Sequence, residues 1–183
     1  MLLDEILNPK VVEVYVGASQ DIGLRDPNLL SQLKPTGRDV EGFPLYALQI
    51  DNDIVFAIKT NQDELLSILV GSIVTDFPIK TKKTIRIHRS WTPEPFRNKG
   101  YSTALYDGLP RCGYRLVSDL QLSPESISVW KKLMTKRTVT AYNCTTHQFT
   151  DENPLINDDI AFVLEFTGSA PGSLLEDSKT FTI

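Results

Sequence analysis

Residues 96–109 read FRNKGYSTALYDGL, with Arg97, Lys99 and Gly100 in a polar turn and small Ser102 just inside the segment that follows. A turn of this type directly ahead of a helix can hold an anion, because the first N–H groups of a helix have no partner within it. Gly100 permits close backbone approach and unusual dihedrals, while Arg97 and Lys99 bring positive charge. The chemistry implied is capture of a phosphate-bearing ligand. The same residues also suit a plain polar turn in front of a core helix.

Other residue types with chemical potential are few. His88 can act as a base near neutral pH and precedes the turn, although it also suits an exposed position on a polar strand face. Ser118 and Asp119 fall at the carboxyl end of a β-rich segment, where ligands gather in open α/β sheets; Asp119 equally suits a loop or helix start. Cys112 and Cys144 share no metal-ligand spacing, which counts against a zinc site or a disulfide framework, and Cys112 has no activating neighbour beyond Arg111. His147 reads as a surface group. Asp151, Glu152, Asp158 and Asp159 form an acidic stretch that fits either a cationic acceptor or plain solvation.

The elements that must position these residues are uneven in clarity. A strand is expected at VVEVYV (11–16) and a short helix at PNLLSQL (27–33), followed by a turn-rich stretch, KPTGRDVEGFP. LYALQI and IVFAIKT, separated by Asp51, Asn52 and Asp53, predict a hairpin. Residues 61–78 read either as a helix capped by Asn61 and Glu64 or as a buried strand in SILVGSIVTDF. TIRIHRSW alternates as a half-buried strand, and YSTALYDGL predicts a short helix stopped at Pro110. YRLVSD predicts a strand, and Ser123-Pro124-Glu125 starts a helix through SISVWKKLM. RTVTAYN and IAFVLEF predict the last strands, joined by the acidic loop. The expected fold is a single α/β domain over 1–167, with a mixed, mostly antiparallel sheet flanked by helices and a loose tail over 168–183.

Composition bounds the possibilities. The chain has 183 residues, 41% of them hydrophobic, which suits one domain with a sizeable core. MLLDEILNPK lacks the features of a secretory signal and LLSILVGSIV is too short to span a bilayer, so a cytoplasmic protein without a membrane partner is expected. A net charge of -4 opposes wholesale nucleic-acid binding. Between Ile79 and Gly100, however, seven basic residues face one acid, Glu94, an excess that can attract a polyphosphate or simply form a solvated basic face.

TPEPFRNKGYSTALYDGL resembles the central motif of the GNAT acetyltransferase superfamily, with Arg97, Gly100 and Ser102 on the motif positions and Pro93 and Glu94 upstream. Ser102 departs from the usual Gly or Ala and is small enough to fit. Downstream, Ser123, Ser126, Trp130 and Lys132-Leu133 match the spacing of a later helix of the family, with Trp130 where a proton-donating Tyr is usual. LVSDLQLSPESISVWKKL is also similar to GNAT-like proteins encoded by bacteriophages and bacteria. The resemblance implies a GNAT-like fold and an acetyl-CoA-dependent N-acetyltransferase, with direct attack of an amine in a ternary complex. It implies a coenzyme cradle of Arg97, Asn98, Lys99, Gly100, Tyr101 and Ser102, with Trp130 either in the core or against the pantetheine arm, and no metal. His88, Asp119 and Ser118 are then the catalytic candidates, and backbone N–H groups around residues 88–90 polarise the thioester carbonyl. An indole N–H is too weak an acid to replace the Tyr, so the resemblance equally admits a GNAT-like protein that has lost catalysis and serves in binding or structure. The acceptor is expected to be an amine on a small molecule or a protein; the oligomeric state is open, a homodimer included.

Overall fold

The computed structural model describes residues 27–165. The strand expected at 11–16 and the tail over 168–183 lie outside these residues. Among them, a short helix α1 (Pro27–Gln32) leads into an antiparallel run of five strands: β1 (Lys34–Val40), β2 (Phe43–Ile50), β3 (Asp53–Lys59), β4 (Leu65–Val74) and β5 (Lys83–Trp91). A single 3-10 turn (Glu94–Phe96) and helix α2 (Tyr101–Arg111) then carry the chain to β6 (Tyr114–Ser118), which pairs parallel to β5. Helix α3 (Pro124–Met134), β7 (Val139–Asn143), β8 (Gln148–Thr150) and β9 (Ile160–Leu164) complete a nine-stranded mixed sheet in the order β1-β2-β3-β4-β5-β6-β9-β7-β8. The class is α/β, with every pairing antiparallel except β5 with β6.

Several local expectations are corrected. The turn-rich stretch 34–44 forms β1 and the start of β2, because a register shift between Pro35 and Asp39 and the left-handed Gly37 absorb the residues that disfavour a regular ladder. Of the two readings open for residues 61–78, the strand is the one found, over 65–74, and the Thr60 hydroxyl closes a tight turn ahead of it by accepting from the N–H groups of Gln62 and Glu64. Helix α2 runs through Pro110, which sits in the last turn, where its missing N–H forfeits one hydrogen bond. The loop expected between the last strands contains β8.

Strand periodicity divides the sheet into two faces. Ile54, Phe56, Ile58, Ile85, Ile87 and Leu116 point into the main core, against Leu105 and Leu109 of α2 and Trp130 and Leu133 of α3. The opposite face carries two smaller apolar clusters, one built on Leu33, Val55, Ala57 and Ile68, the other on Phe77, Val117, Tyr142, Ala161 and Val163. Arg115, 1% exposed, secures the second: it pairs with Glu165 at 2.7 Å, donates to the Ile79 carbonyl at 2.7 Å and covers the Phe77 ring. Among the described residues no helix is long and apolar enough to cross a membrane.

β5 is irregular where it matters. Val70 pairs with Arg89 and Gly71 with Ile87, so His88 is an extra residue, bulged out of the β4 ladder. The bulge demands a glycine opposite. A Cβ on Gly71 would lie 2.3 Å from the Arg86 carbonyl oxygen and 2.8 Å from Ile85 Cγ2, and neither the strand backbone nor a buried isoleucine can yield that much. Gly71→Ala is therefore expected to lower stability by about 1–3 kcal/mol, measured as a lower urea midpoint at unchanged slope.

Candidate functional site

β6 registers with β5 only from Lys83–Tyr114 to Ile87–Ser118, whereas β5 continues to Trp91. Residues 89–91 of β5 thus have a strand partner on the β4 side, and none of residues 88–91 has one on the β6 side. The ladder between these parallel strands stops at Ile87–Ser118, and the bulge at His88 stands just past its end.

The bulge also resets the side-chain alternation. Ile87 faces the main core and His88 the other face, but Arg89 stays on the His88 side through its pairing with Val70, and Ser90 returns to the main-core side opposite Leu69. His88 thereby meets two partners. Its Nε2 lies 2.9 Å from the Ser72 hydroxyl on β4, and its Nδ1 lies 3.1 Å from Asp119 Oδ2, just past the end of β6. An ionised carboxylate can only accept, so Nδ1 carries the hydrogen and Nε2 of the neutral ring accepts from Ser72. The His88 and Asp119 side chains are each 35% exposed, reachable yet partly shielded.

Electrostatics keep this carboxylate charged. Burial pushes the Asp119 carboxyl up, but the His88 hydrogen bond, the Leu120 N–H and the charges of His88 and Arg86 outweigh it and leave it below the ordinary aspartate value. Asp53, the β3 neighbour of Ser72, is pushed up by burial and by Asp51 despite the nearby His88. Arg86 lies on the same face; its Nη2 approaches Cys144 Sγ at 3.7 Å, while its buried Nε makes no hydrogen bond. Burial raises the thiols of both Cys112 and Cys144, so neither is activated as a nucleophile.

The turn after β5 leaves its backbone open to solvent. Asn98 and Gly100 both take positive φ, 61° and 87°, and Gly100 caps α2 with no side chain bonded to the first helical N–H groups. Nothing lies within 4 Å of where a Gly100 Cβ would sit, so the space before the helix is open. Arg97, Asn98 and Lys99 are exposed; Arg97 is steadied by donating to the Thr92 carbonyl, and Lys99 lies over the Phe96 ring. Tyr101 packs edge-on against Phe43 and Phe96, leaving its backbone and that of Ser102 to line the turn.

Two sequence candidates are placed elsewhere. Ser118 is 1% exposed, and its hydroxyl donates to the Asp119 carbonyl and accepts from the Phe162 N–H, so it ties β6 to β9 instead of facing a ligand. Trp130, also 1% exposed, stacks on Phe162 and meets Tyr106 edge-on; it is a core residue with no surface to offer a pantetheine arm. Sequence reading missed Ser72, which lay in an ambiguous apolar run, and Tyr106, whose hydroxyl donates to Ser90 Oγ at 3.4 Å. Burial pushes Tyr106 to about 12, so that proton is held at neutral pH. His147 lies in the β7–β8 turn beside the Tyr142 hydroxyl. Among the described residues no cluster of three His, Cys, Asp or Glu side chains could hold a metal ion.

No family model and no curated protein matches the chain. Similar solved structures include a Bacillus subtilis acetyltransferase in complex with CoA, at 15% identity and a TM-score of 0.35, covering 64% of this chain and 79% of that one. Arabidopsis thaliana NAA60 in complex with acetyl-CoA is similar at 15% identity and a TM-score of 0.34, covering 61% and 74%. The ribosomal-protein-S18-alanine N-acetyltransferase from Escherichia coli is similar at 14% identity and a TM-score of 0.36, covering 67% and 76%.

Because the folded value of Asp119 is depressed, the stability it contributes is present above the unfolded aspartate value and is lost as pH falls through the folded one. The melting-temperature gap between the wild type and Asp119→Asn is expected to narrow as pH is lowered from about 6 to about 3. Thermal unfolding across that series checks it.

Proposed function

We propose that this chain is a GNAT-type N-acetyltransferase that uses acetyl-CoA and an amine acceptor in a ternary complex. The observation that supports it is the end of the β5–β6 ladder at Ile87–Ser118, with the bulged His88 just past it and β5 leading through the turn over 92–100 into the uncapped amino end of α2. The residues present fit a pyrophosphate-bearing group: free helical N–H groups, the left-handed Gly100 with open space before it, and exposed Arg97 and Lys99. The backbone of residues 98–102 would hold it, with Arg97 and Lys99 supplying charge. When bound, acetyl-CoA supplies an acyl thioester.

The chain's own groups do the rest. His88 Nε2 is the base that receives the acceptor's proton by way of the Ser72 hydroxyl that donates to it, and Asp119 fixes the ring tautomer and stabilises the imidazolium through Nδ1–H. The backbone of residues 88–90, beyond the reach of β6, offers N–H groups to a carbonyl oxygen. Tyr106 donates its hydroxyl hydrogen to Ser90 Oγ on the main-core side of the same strand and so steadies the strand past the bulge. Asp76, Asp119 and Asp159 lie near Cys144 beside Arg86, and these carboxylates offer partners for a cationic amine. A catalytically inactive binding protein of the same fold is favoured by one observation, the burial of Trp130 in the core.

Isothermal titration is expected to detect acetyl-CoA binding, and Gly100→Trp is expected to weaken it at least about tenfold, about 1.4 kcal/mol. Absence of binding to the wild type would sink the proposal. In turnover assays against a panel of amines, His88→Asn is expected to lower kcat/KM by about 100-fold or more while leaving acetyl-CoA affinity unchanged. Binding without any turnover would favour the inactive protein instead.

A further inference from the structure

The contacts of His88 carry more than the base function needs. Ser72 Oγ, His88 Nε2, His88 Nδ1 and Asp119 Oδ2 form one continuous line of hydrogen bonds, at 2.9 Å and 3.1 Å. A hydroxyl on one ring nitrogen and an ionised carboxylate on the other is the arrangement that turns a serine into a nucleophile, recognised by geometry and not by order in the chain. Three separate elements deliver it: β4 supplies Ser72, the bulge of β5 supplies His88, and the loop after β6 supplies Asp119. The surroundings suit an acyl group. Val70 and Val74, two residues either side of Ser72, share its face and are only partly buried, giving a small apolar wall. Arg86, the cross-strand partner of Ser72, lies on that face and brings positive charge near negative charge developing on a carbonyl oxygen.

We propose that Ser72 gives the His88–Asp119 pair a second activity, that of an acyl-ester hydrolase acting through an acyl-serine. Ser72 Oγ passes its proton to His88 Nε2 and bonds to the carbonyl carbon of a small carboxylic ester. The bond from that carbon to the leaving alkoxide oxygen breaks, and His88 returns the proton to it as the alcohol departs. Water then gives a proton to His88 and its oxygen to the acyl carbon; the acyl–Oγ bond breaks, the carboxylic acid leaves, and Ser72 regains its proton. Asp119 holds the ring in the required tautomer throughout. Nothing in this sequence draws on the turn before α2 or on coenzyme A, so it stands or falls apart from the acetyltransferase reading.

A fluorophosphonate probe and 4-nitrophenyl acetate test it on the full chain, without coenzyme A. The wild type is expected to be labelled on the Ser72 peptide, located by mass spectrometry, and to hydrolyse the ester. Ser72→Ala is expected to abolish both, and His88→Asn and Asp119→Asn to slow labelling by about 100-fold or more. Ser128→Ala, an exposed serine on the outside of α3, is the control expected to change neither. Circular dichroism verifies that each variant is folded, and the peptide assignment on the wild type needs no variant at all. Absence of labelling, labelling at another residue, or equal labelling of Ser72 in the wild type and His88→Asn overturns the proposal.

Discussion

The close approach of β4 and β5 at Gly71 is the constraint on which the site depends. With no Cβ at that point, the two backbones come near enough for β5 to carry one residue more than β4, and the extra residue is His88. A bulge costs a locally disrupted ladder and gives a change of direction together with a break in side-chain alternation. Here both are used: His88 and Arg89 fall on one face and Ser90 on the other, and the strand carries on past the end of β6. A regular β5 would have put the residues after His88 on the opposite faces.

What surrounds the bulge holds it in place. On one side of the sheet, Ile85, Ile87, Leu105, Leu109, Trp130 and Phe162 form a continuous core that fixes β5 and β6 against α2 and α3. The stack of Trp130 on Phe162 and its edge contact with Tyr106 add about 0.5–1.5 kcal/mol per aromatic pair beyond their burial. On the other side, two apolar clusters flank a polar strip made of Asp53, Ser72, Arg86, His88 and Asp119. Polar groups persist in such a position only when they satisfy one another, which the hydrogen bonds of His88 accomplish for Ser72 and Asp119. Arg86 Nε is the atom left over.

A large part of the architecture was legible in the residues. The hairpin between β2 and β3 showed in two β-rich runs around Asp51 and Asn52, β5 showed in its alternation, and α3 showed in Ser123, whose hydroxyl accepts from the Ser126 N–H. These are local signals, and local signals survive into the fold when no distant contact opposes them. β1 was hidden because Pro35 and Gly37 read as turn, although a bulge accommodates both. β4 was ambiguous because a short apolar run has no period of its own to separate a strand from a buried helix.

The sequence by itself determined the ingredients of the site: a basic glycine turn ahead of a helix, a histidine on the preceding strand, and an aspartate after the next one. Their types and spacing follow from short-range chemistry, the phosphate affinity of helical N–H groups and the titration range of imidazole. Only the tertiary structure decided which of them work together. Ser72, His88 and Asp119 are separated by sixteen and thirty-one residues and meet because β4, β5 and β6 are neighbours in the sheet. The same packing took Ser118 and Trp130 out of reach of a ligand, because burial is set by what the other strands and helices cover and not by the residue's own type.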